Sequence, residues 1–298
     1  MNHRLGQLVN SRISRVMAVT GAIVMLSWWA EEAGFDAVRV GSAIAGLAIV
    51  LTLIVGIHEF SHLLVARGLG IGVHEFGLGL PPRAASRDWR GITWSLNWLP
   101  IGGFVKLAGE SNSDEDIAAP DSFSAAPLWK RLLVWTAGPV SNLILAYVLV
   151  VILYIALYAV PPHEAAWRAI IGTAELIGLW FEGIVSLPGV LLSDPLNAPV
   201  GGLPMMGQAV DSALQHPQLI EAVLAVTLLL SLTIGLMNLL PIPPLDGGQA
   251  LFAIVRAVLG ERIGRVVTYS ATAAGFIFIV LLGLAINGLD LVRLFGGG

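Results

Sequence analysis

The sequence lacks cysteine altogether, and it is poor in charged residues of either sign. Without cysteine, neither a disulfide framework nor a thiolate metal site can form, so His, Asp or Glu would have to hold any transition metal. Charged residues make up 12% of the chain, about half of the roughly 25% that is usual in soluble domains. The net charge of -4 and the lack of a basic tract give no indication of a nucleic-acid partner.

Apolar residues are abundant instead, at 56% of the chain with a mean hydropathy of +0.82. A transmembrane helix needs about 20 largely apolar residues. Stretches that meet or approach this length cover residues 16–30, 41–66, 132–162, 222–245 and 266–289. The composition therefore predicts a polytopic membrane protein in contact with the lipid bilayer, with about five transmembrane helices.

Arginine and lysine are unevenly distributed between the predicted loops. With the N-terminus on the cytoplasmic side, thirteen of these residues face the cytoplasm and three face outward, which agrees with the positive-inside rule. A cleaved signal peptide is the alternative for residues 16–30, but bulky Trp28 near the end of the stretch favours an uncleaved signal anchor. We therefore expect a signal-anchor helix and outside loop over residues 1–39, and a membrane core over residues 40–298.

Residues 161–218 are predicted to lie outside. The apolar stretch 183–192 within them is expected to be broken by Pro188 and is too short to cross. It is interpreted as an amphipathic or re-entrant segment on the membrane surface.

The sequence His58-Glu59-Phe60-Ser61-His62 is an H-E-x-x-H motif within a predicted span. The spacing places both imidazoles on one face of a helix, where they can share a zinc ion. Glu59 lies beside the first ligand and can act as general base on a zinc-activated water. The alternative is an ordinary helix with ionisable side chains near the interface, but such groups inside a span are costly and usually functional.

Asp246 is the candidate for the third zinc ligand. It follows three prolines in the segment 238–248 and precedes Gly247 and Gly248. Prolines break the helix there, and irregular backbone at membrane depth is tolerated only where it is buried or lines a cavity. Asp246 could instead serve as the N-cap of the next helix.

Both motifs together resemble the site-2 protease family of intramembrane metalloproteases, which combines H-E-x-x-H with N-x-x-P-x-P-x-L-D-G. Residues 75–79, 93–96 and 99–106 resemble its membrane-associated β-hairpin, residues 137–142 its second conserved span, and residues 198–202 a further element. The resemblance implies an all-α membrane protein with a β-hairpin after the H-E-x-x-H helix, located in the bacterial inner membrane with its site near the cytoplasmic side. Only 40 residues separate Ala159 from Pro199, which leaves no room for the PDZ domain that bacterial members often carry there.

The resemblance implies an intramembrane zinc metalloendopeptidase that cleaves single-span membrane proteins, such as anti-sigma factors or signal-peptide remnants. Residues 92–98 alternate as a strand does, and an exposed edge there could bind an unwound substrate by strand addition. Further substrate contacts are expected at a set of five residues: Gly103, Phe104, Val105, Asn142 and Asn238.

Two other functions remain open at this point. A metal transporter could use the same His and Asp residues, although the internal repeats that are common in transporters are not found. A catalytically inactive membrane scaffold is the second alternative. The sequence indicates neither the oligomeric state nor the cleaved bond.

Overall fold

The computed structural model describes residues 36–110, 119–198 and 201–295. In chain order the elements are α1 (Ala37–Gly68), β1 (Val73–Trp89), β2 (Ile92–Leu107), α2 (Leu128–Tyr158), α3 (Pro162–Ser193), a short 3-10 helix (Pro195–Asn197), α4 (Leu203–Leu214), α5 (Leu219–Leu239), α6 (Asp246–Leu259) and α7 (Glu261–Phe295). The predicted polytopic helical architecture with a β-hairpin is confirmed. The predicted span at residues 16–30 lies outside the described residues.

Within the described part of the chain, five helices are long and apolar enough to cross a membrane: α1, α2, α3, α5 and α7. Four of them contain the spans predicted around residues 41–66, 132–162, 222–245 and 266–289. Asp36 caps α1 by accepting hydrogen bonds from the N–H groups of Val38 and Arg39, which satisfies two of the unpaired donors at the helix start.

Helix α3 corrects one sequence-based expectation. Pro188 was expected to break the apolar stretch 183–192, but α3 is continuous over 32 residues and contains Pro188 in its last turns. Proline is tolerated in membrane helices because neighbouring groups satisfy the backbone that it frees. The stretch is therefore part of a helix long enough to span, while the outside location of residues 161–218 stays a prediction.

Strands β1 and β2 form an antiparallel hairpin whose tight turn is Arg90-Gly91, both with positive φ. The hairpin also folds back on itself, since Phe76 is paired with Val105 on one side and with Trp94 on the other. Residues 75–78 therefore lie between residues 93–96 and 103–106. The strand predicted over residues 92–98 continues to Leu107 and bends at Gly102, where φ is +81°.

Helix α2 lies at the centre of the molecule and packs against α1, α3 and α5. Gly235 of α5 allows the closest approach, because an added Cβ would lie 3.1 Å from both the Asn142 Cβ and the Pro139 carbonyl oxygen of α2. Two apolar clusters, around Leu149 and Leu232, fill the space between α2, α3 and α5. This packing holds α5 against α2, the helix that contacts the two histidines. The segment that follows α5 and carries Asp246 is thereby positioned near them.

Candidate metal centre

His58 and His62 lie one turn apart on the buried face of α1, with 5% and 6% of their surfaces exposed. Their ring centroids are 4.8 Å apart. Both Nε2 atoms face the carboxylate of Asp246, at 2.9 Å from Oδ2 for His58 and 3.5 Å for His62. The structure therefore brings the three predicted metal ligands together from distant parts of the chain.

The segment between α5 and α6 carries Asp246 to the histidines. Helix α5 ends at Leu239, six irregular residues follow, and Asp246 is the first residue of α6. Gly247 and Gly248 allow the chain to fold back tightly, since an added Cβ at Gly248 would lie 2.5 Å from the carbonyl carbon of Ile242. The N-cap residue of α6 is Leu245, and the carboxylate of Asp246 is directed to the imidazoles.

The donor set fits one zinc ion. Zinc in proteins takes His nitrogen and Asp oxygen at about 2.0–2.2 Å in tetrahedral geometry, so its ligand atoms lie about 3.3–3.5 Å apart. The three ligand atoms of His58, His62 and Asp246 all lie within 4.8 Å of one another. Three protein ligands leave the fourth position for water or substrate, which is the arrangement of catalytic rather than structural zinc sites.

Buried partners orient both imidazole rings. The Nδ1–H of His62 donates to the carbonyl oxygen of Val134 at 2.6 Å, which leaves the Nε2 lone pair for a metal. Nδ1 of His58 lies 3.3 Å from the Asn142 amide nitrogen, while the amide oxygen of Asn142 is buried without a partner. The orientation of an amide group is assigned from the hydrogen bonds around it. With its oxygen toward His58, the Asn142 amide accepts from His58 Nδ1–H, and both groups are satisfied.

Asn142 is fully buried, so its position does not support the expected contact with substrate. Its own carbonyl oxygen accepts a hydrogen bond from Ser231 at 2.9 Å. That bond fixes the backbone of Asn142, while its side chain lies between Gly235 of α5 and His58. We therefore assign Asn142 the role of orienting the imidazole of His58.

Gly138 is a site residue that the sequence-based reasoning missed. A Cβ at this position would collide with the Nε2 atoms of both His58 and His62. A hydrogen is therefore the only substituent that lets α2 approach the two imidazoles. The available signal was a glycine directly before Pro139 and four residues before Asn142 in a charge-free span.

The predicted edge-strand residues lie beside Glu59. The backbone N–H of Val105 interacts with the Glu59 carboxylate, and an added Cβ at Gly103 would lie 3.4 Å from Glu59 Cγ. The ring of Phe104 packs over Gly77 of β1. Gly103 and Val105 therefore lie next to Glu59, and their contact with a substrate stays a prediction.

Asn238 is half-buried in the last turn of α5. Its amide nitrogen donates to the carbonyl oxygen of Ile234 at 3.1 Å, one turn earlier in the same helix. This bond occupies the amide donor, so substrate contact by Asn238 stays a prediction.

Comparison with known proteins agrees with the site. Residues 46–282 match the profile of peptidase family M50. A Brucella suis protein assigned as a zinc metalloprotease is 36% identical over 137 residues, and the metalloprotease MmpA of Caulobacter vibrioides is 27% identical over 150 residues. These alignments cover 42% and 44% of this chain but only 36% and 38% of the relatives. A Rhizobium meliloti protein, also assigned as a zinc metalloprotease, is 24% identical over 83% of this chain and 96% of its own length.

Proposed function

The chain belongs to peptidase family M50, and we propose on that basis that it is an intramembrane zinc metalloendopeptidase. In this proposal His58, His62 and Asp246 hold zinc, and Glu59 is the general base. The observation that carries it is the convergence of the three ligand atoms within 4.8 Å, with Glu59 one residue along the helix from His58. The donor set and the family agree on zinc.

When bound, zinc supplies the Lewis acidity that activates a water and polarises the peptide carbonyl near neutral pH. Glu59 takes the proton of the attacking water and then delivers it to the leaving nitrogen. Val134 and Asn142 hold the two imidazoles in the tautomer that keeps Nε2 free. The burial of both histidines keeps bulk water from the ligands.

The substrates proposed are transmembrane segments of single-span proteins, such as anti-sigma factors or signal-peptide remnants. A helical span hides its carbonyl groups in backbone hydrogen bonds, so it has to unwind before attack. Residues 103–106 of β2 offer a partner for the unwound chain, because β1 pairs with one side of this strand and Glu59 lies on the other. Strand addition of this kind supplies affinity through main-chain hydrogen bonds.

The proposed location is the bacterial inner membrane, with the N-terminus and the metal site toward the cytoplasm. The excess of arginine and lysine in the loops on the cytoplasmic side supports this orientation. The site lies in the C-terminal half of α1, close to Arg67 at the helix end.

The test compares the wild type with Glu59→Gln in detergent. Zinc content is measured by mass spectrometry, and cleavage is measured on a model transmembrane substrate. We expect about one zinc ion in each protein, and a loss of cleavage of at least about a hundredfold in the variant, the usual contribution of a general base. Glu182→Gln, an exposed glutamate in α3, is the matched control and should cleave like the wild type.

Other outcomes favour other functions. Undiminished cleavage by Glu59→Gln would contradict the role of Glu59. Zinc in both proteins with no cleavage by either would favour the inactive scaffold, and zinc uptake into sealed vesicles would favour the transporter. Absence of metal from both proteins would contradict the metal site itself.

A further inference from the structure

Among the described residues, no strand pairs with the edge of β2 that faces away from β1 beside the metal centre. Two carboxylates lie along this free edge. The N–H of Ala108 donates to the Gly72 carbonyl oxygen at 2.9 Å, toward β1. Because N–H groups of a strand alternate in direction, those of Val105 and Leu107 point to the opposite side. The Glu59 carboxylate interacts with the N–H of Val105. The Glu110 carboxylate accepts a hydrogen bond from the N–H of Leu107 at 3.1 Å.

Glu110 follows the strand through a tight turn. Its backbone N–H donates to the Leu107 carbonyl oxygen at 3.4 Å, and Gly109 in the turn has a φ of +69°. The turn thus directs the Glu110 side chain back along the free edge. Leu107 lies two residues beyond Val105, which contacts Glu59, so the Glu110 carboxylate lies on the same edge close to the metal centre.

The two capped N–H groups lie on alternate residues, about 6.6 Å apart along the strand. A substrate strand that pairs with Val105 next to Glu59 would reach Leu107 two residues further on. Its carbonyl group would there have to displace a carboxylate, which is the stronger acceptor. Exposed strand edges are commonly blocked by charged side chains, and Glu110 blocks this edge at the point where it leaves the metal centre.

We propose that Glu110 is a specificity-determining residue that competes with substrate for the Leu107 N–H and so limits how far an unwound substrate pairs with β2. The inference rests on the proposed function, because it concerns the substrate of the same site. A residue that only stabilised the turn would have the opposite effect when removed. Loss of a turn weakens the site, whereas loss of a competitor strengthens substrate binding.

The test measures KM and kcat of Glu110→Ala and Glu110→Gln on the model transmembrane substrate, with zinc content as a check. For Glu110→Ala we expect KM to fall about threefold to tenfold, the effect of one backbone hydrogen bond, with kcat unchanged. Glu110→Gln keeps a weaker, neutral acceptor in the same turn, so its KM should fall less. Glu110→Gln also tests the competition for the Leu107 N–H if Glu110→Ala yields too little folded protein.

Asp88→Ala is the matched control, because Asp88 is an acid of the same hairpin that accepts a hydrogen bond from Thr93 at 2.7 Å near the hairpin turn. Its KM should equal that of the wild type. Binding of fluorescently labelled substrate to Glu59→Gln, with and without Glu110→Ala, provides a measurement free of turnover. We expect the protein that carries both Glu59→Gln and Glu110→Ala to bind the labelled substrate more tightly than Glu59→Gln alone.

An unchanged or raised KM in both Glu110 variants, with a wild type that cleaves, would overturn the inference and leave the proposed function intact. A wild type that does not cleave would count against the proposed function instead. In that case, substrate binding to the Glu59→Gln pair would still test the competition at Leu107.

Discussion

At the scale of single residues, the metal centre depends on residues that are not themselves metal ligands. His58 and His62 can ligate only through Nε2, because Asn142 and Val134 occupy the Nδ1 side of the rings. Gly138 permits the approach of α2 to both rings, and any side chain there would enter the space of the imidazoles. These three neighbours lie on α2, so one helix sets the geometry of ligands carried by another.

We predict that Asn142→Leu weakens zinc binding about tenfold to a hundredfold, the usual cost of losing a hydrogen bond to a ligating histidine. Asn142→Asp should retain much of the affinity, because a carboxylate oxygen also accepts from His58 Nδ1–H. The measurement is competition with a zinc chelator. The control is Thr227→Val, because Thr227 is a buried polar residue of α5 whose hydroxyl donates to the Val223 carbonyl oxygen of its own helix. Wild-type affinity in Asn142→Leu would contradict the assigned role.

At the scale of elements, the β-hairpin is the part of the fold that faces both the site and the surroundings. Residues 103–106 lie beside Glu59, whereas Leu96 and Trp98 are exposed on the same strand. Apolar and aromatic side chains of this kind suit a membrane interface, which agrees with the predicted membrane association of the hairpin. We propose that this strand lies between the bilayer, from which a substrate would arrive, and the metal.

We predict that Val105→Pro reduces cleavage about tenfold or more while zinc content stays at the wild-type level. Proline removes the outward N–H of Val105, and the N–H groups that face β1 belong to the neighbouring residues, so the hairpin is retained. Ser86→Pro, on the part of β1 that pairs with Ser95 away from the site, is the control. Full cleavage by Val105→Pro would argue against strand addition.

At the scale of the whole molecule, ion pairs and hydrogen bonds connect α1, α4 and α7 at the end of the molecule that lies away from the metal site. Arg39 at the start of α1 is 2.7 Å from Asp211 of α4, and this guanidinium lowers the pKa of the Asp211 carboxyl. Asp290 of α7 accepts from the N–H of Gly202 at 2.6 Å, and its carboxylate pairs with Arg293. The metal site lies at the other end of α1, where β1 and β2 begin.

We predict that these two ends face opposite sides of the membrane. Because the chain contains no cysteine, single cysteines can be introduced without altering other positions. His74→Cys, just after α1, should react with a membrane-impermeant thiol reagent only from the cytoplasmic side, and His216→Cys, just after α4, only from outside. Both histidines are exposed. Labelling of both positions from the same side would contradict the proposed orientation.

The sequence alone determined the class of protein, four of the described candidate membrane helices and the three candidate ligands that the fold brings together. Length of apolar stretches and i, i+4 spacing are local properties, and a membrane leaves few alternatives to a helix. Pro188 was misjudged by the same local reasoning, because a proline in an apolar helix can be accommodated without ending that helix.

Only the tertiary structure decided which groups surround the ligands. Two residues of α2, Gly138 and Asn142, contact the histidines of α1, and Glu110 bonds to the edge of β2 that faces away from β1. Sequence spacing carries no information about such contacts. Asn142 lies 84 residues from His58, and its role follows from the packing of α2 against α1. The sequence specified the chemistry of the site because the chemistry depends on residue types. The fold specified its orientation and its access because these depend on which buried surfaces meet.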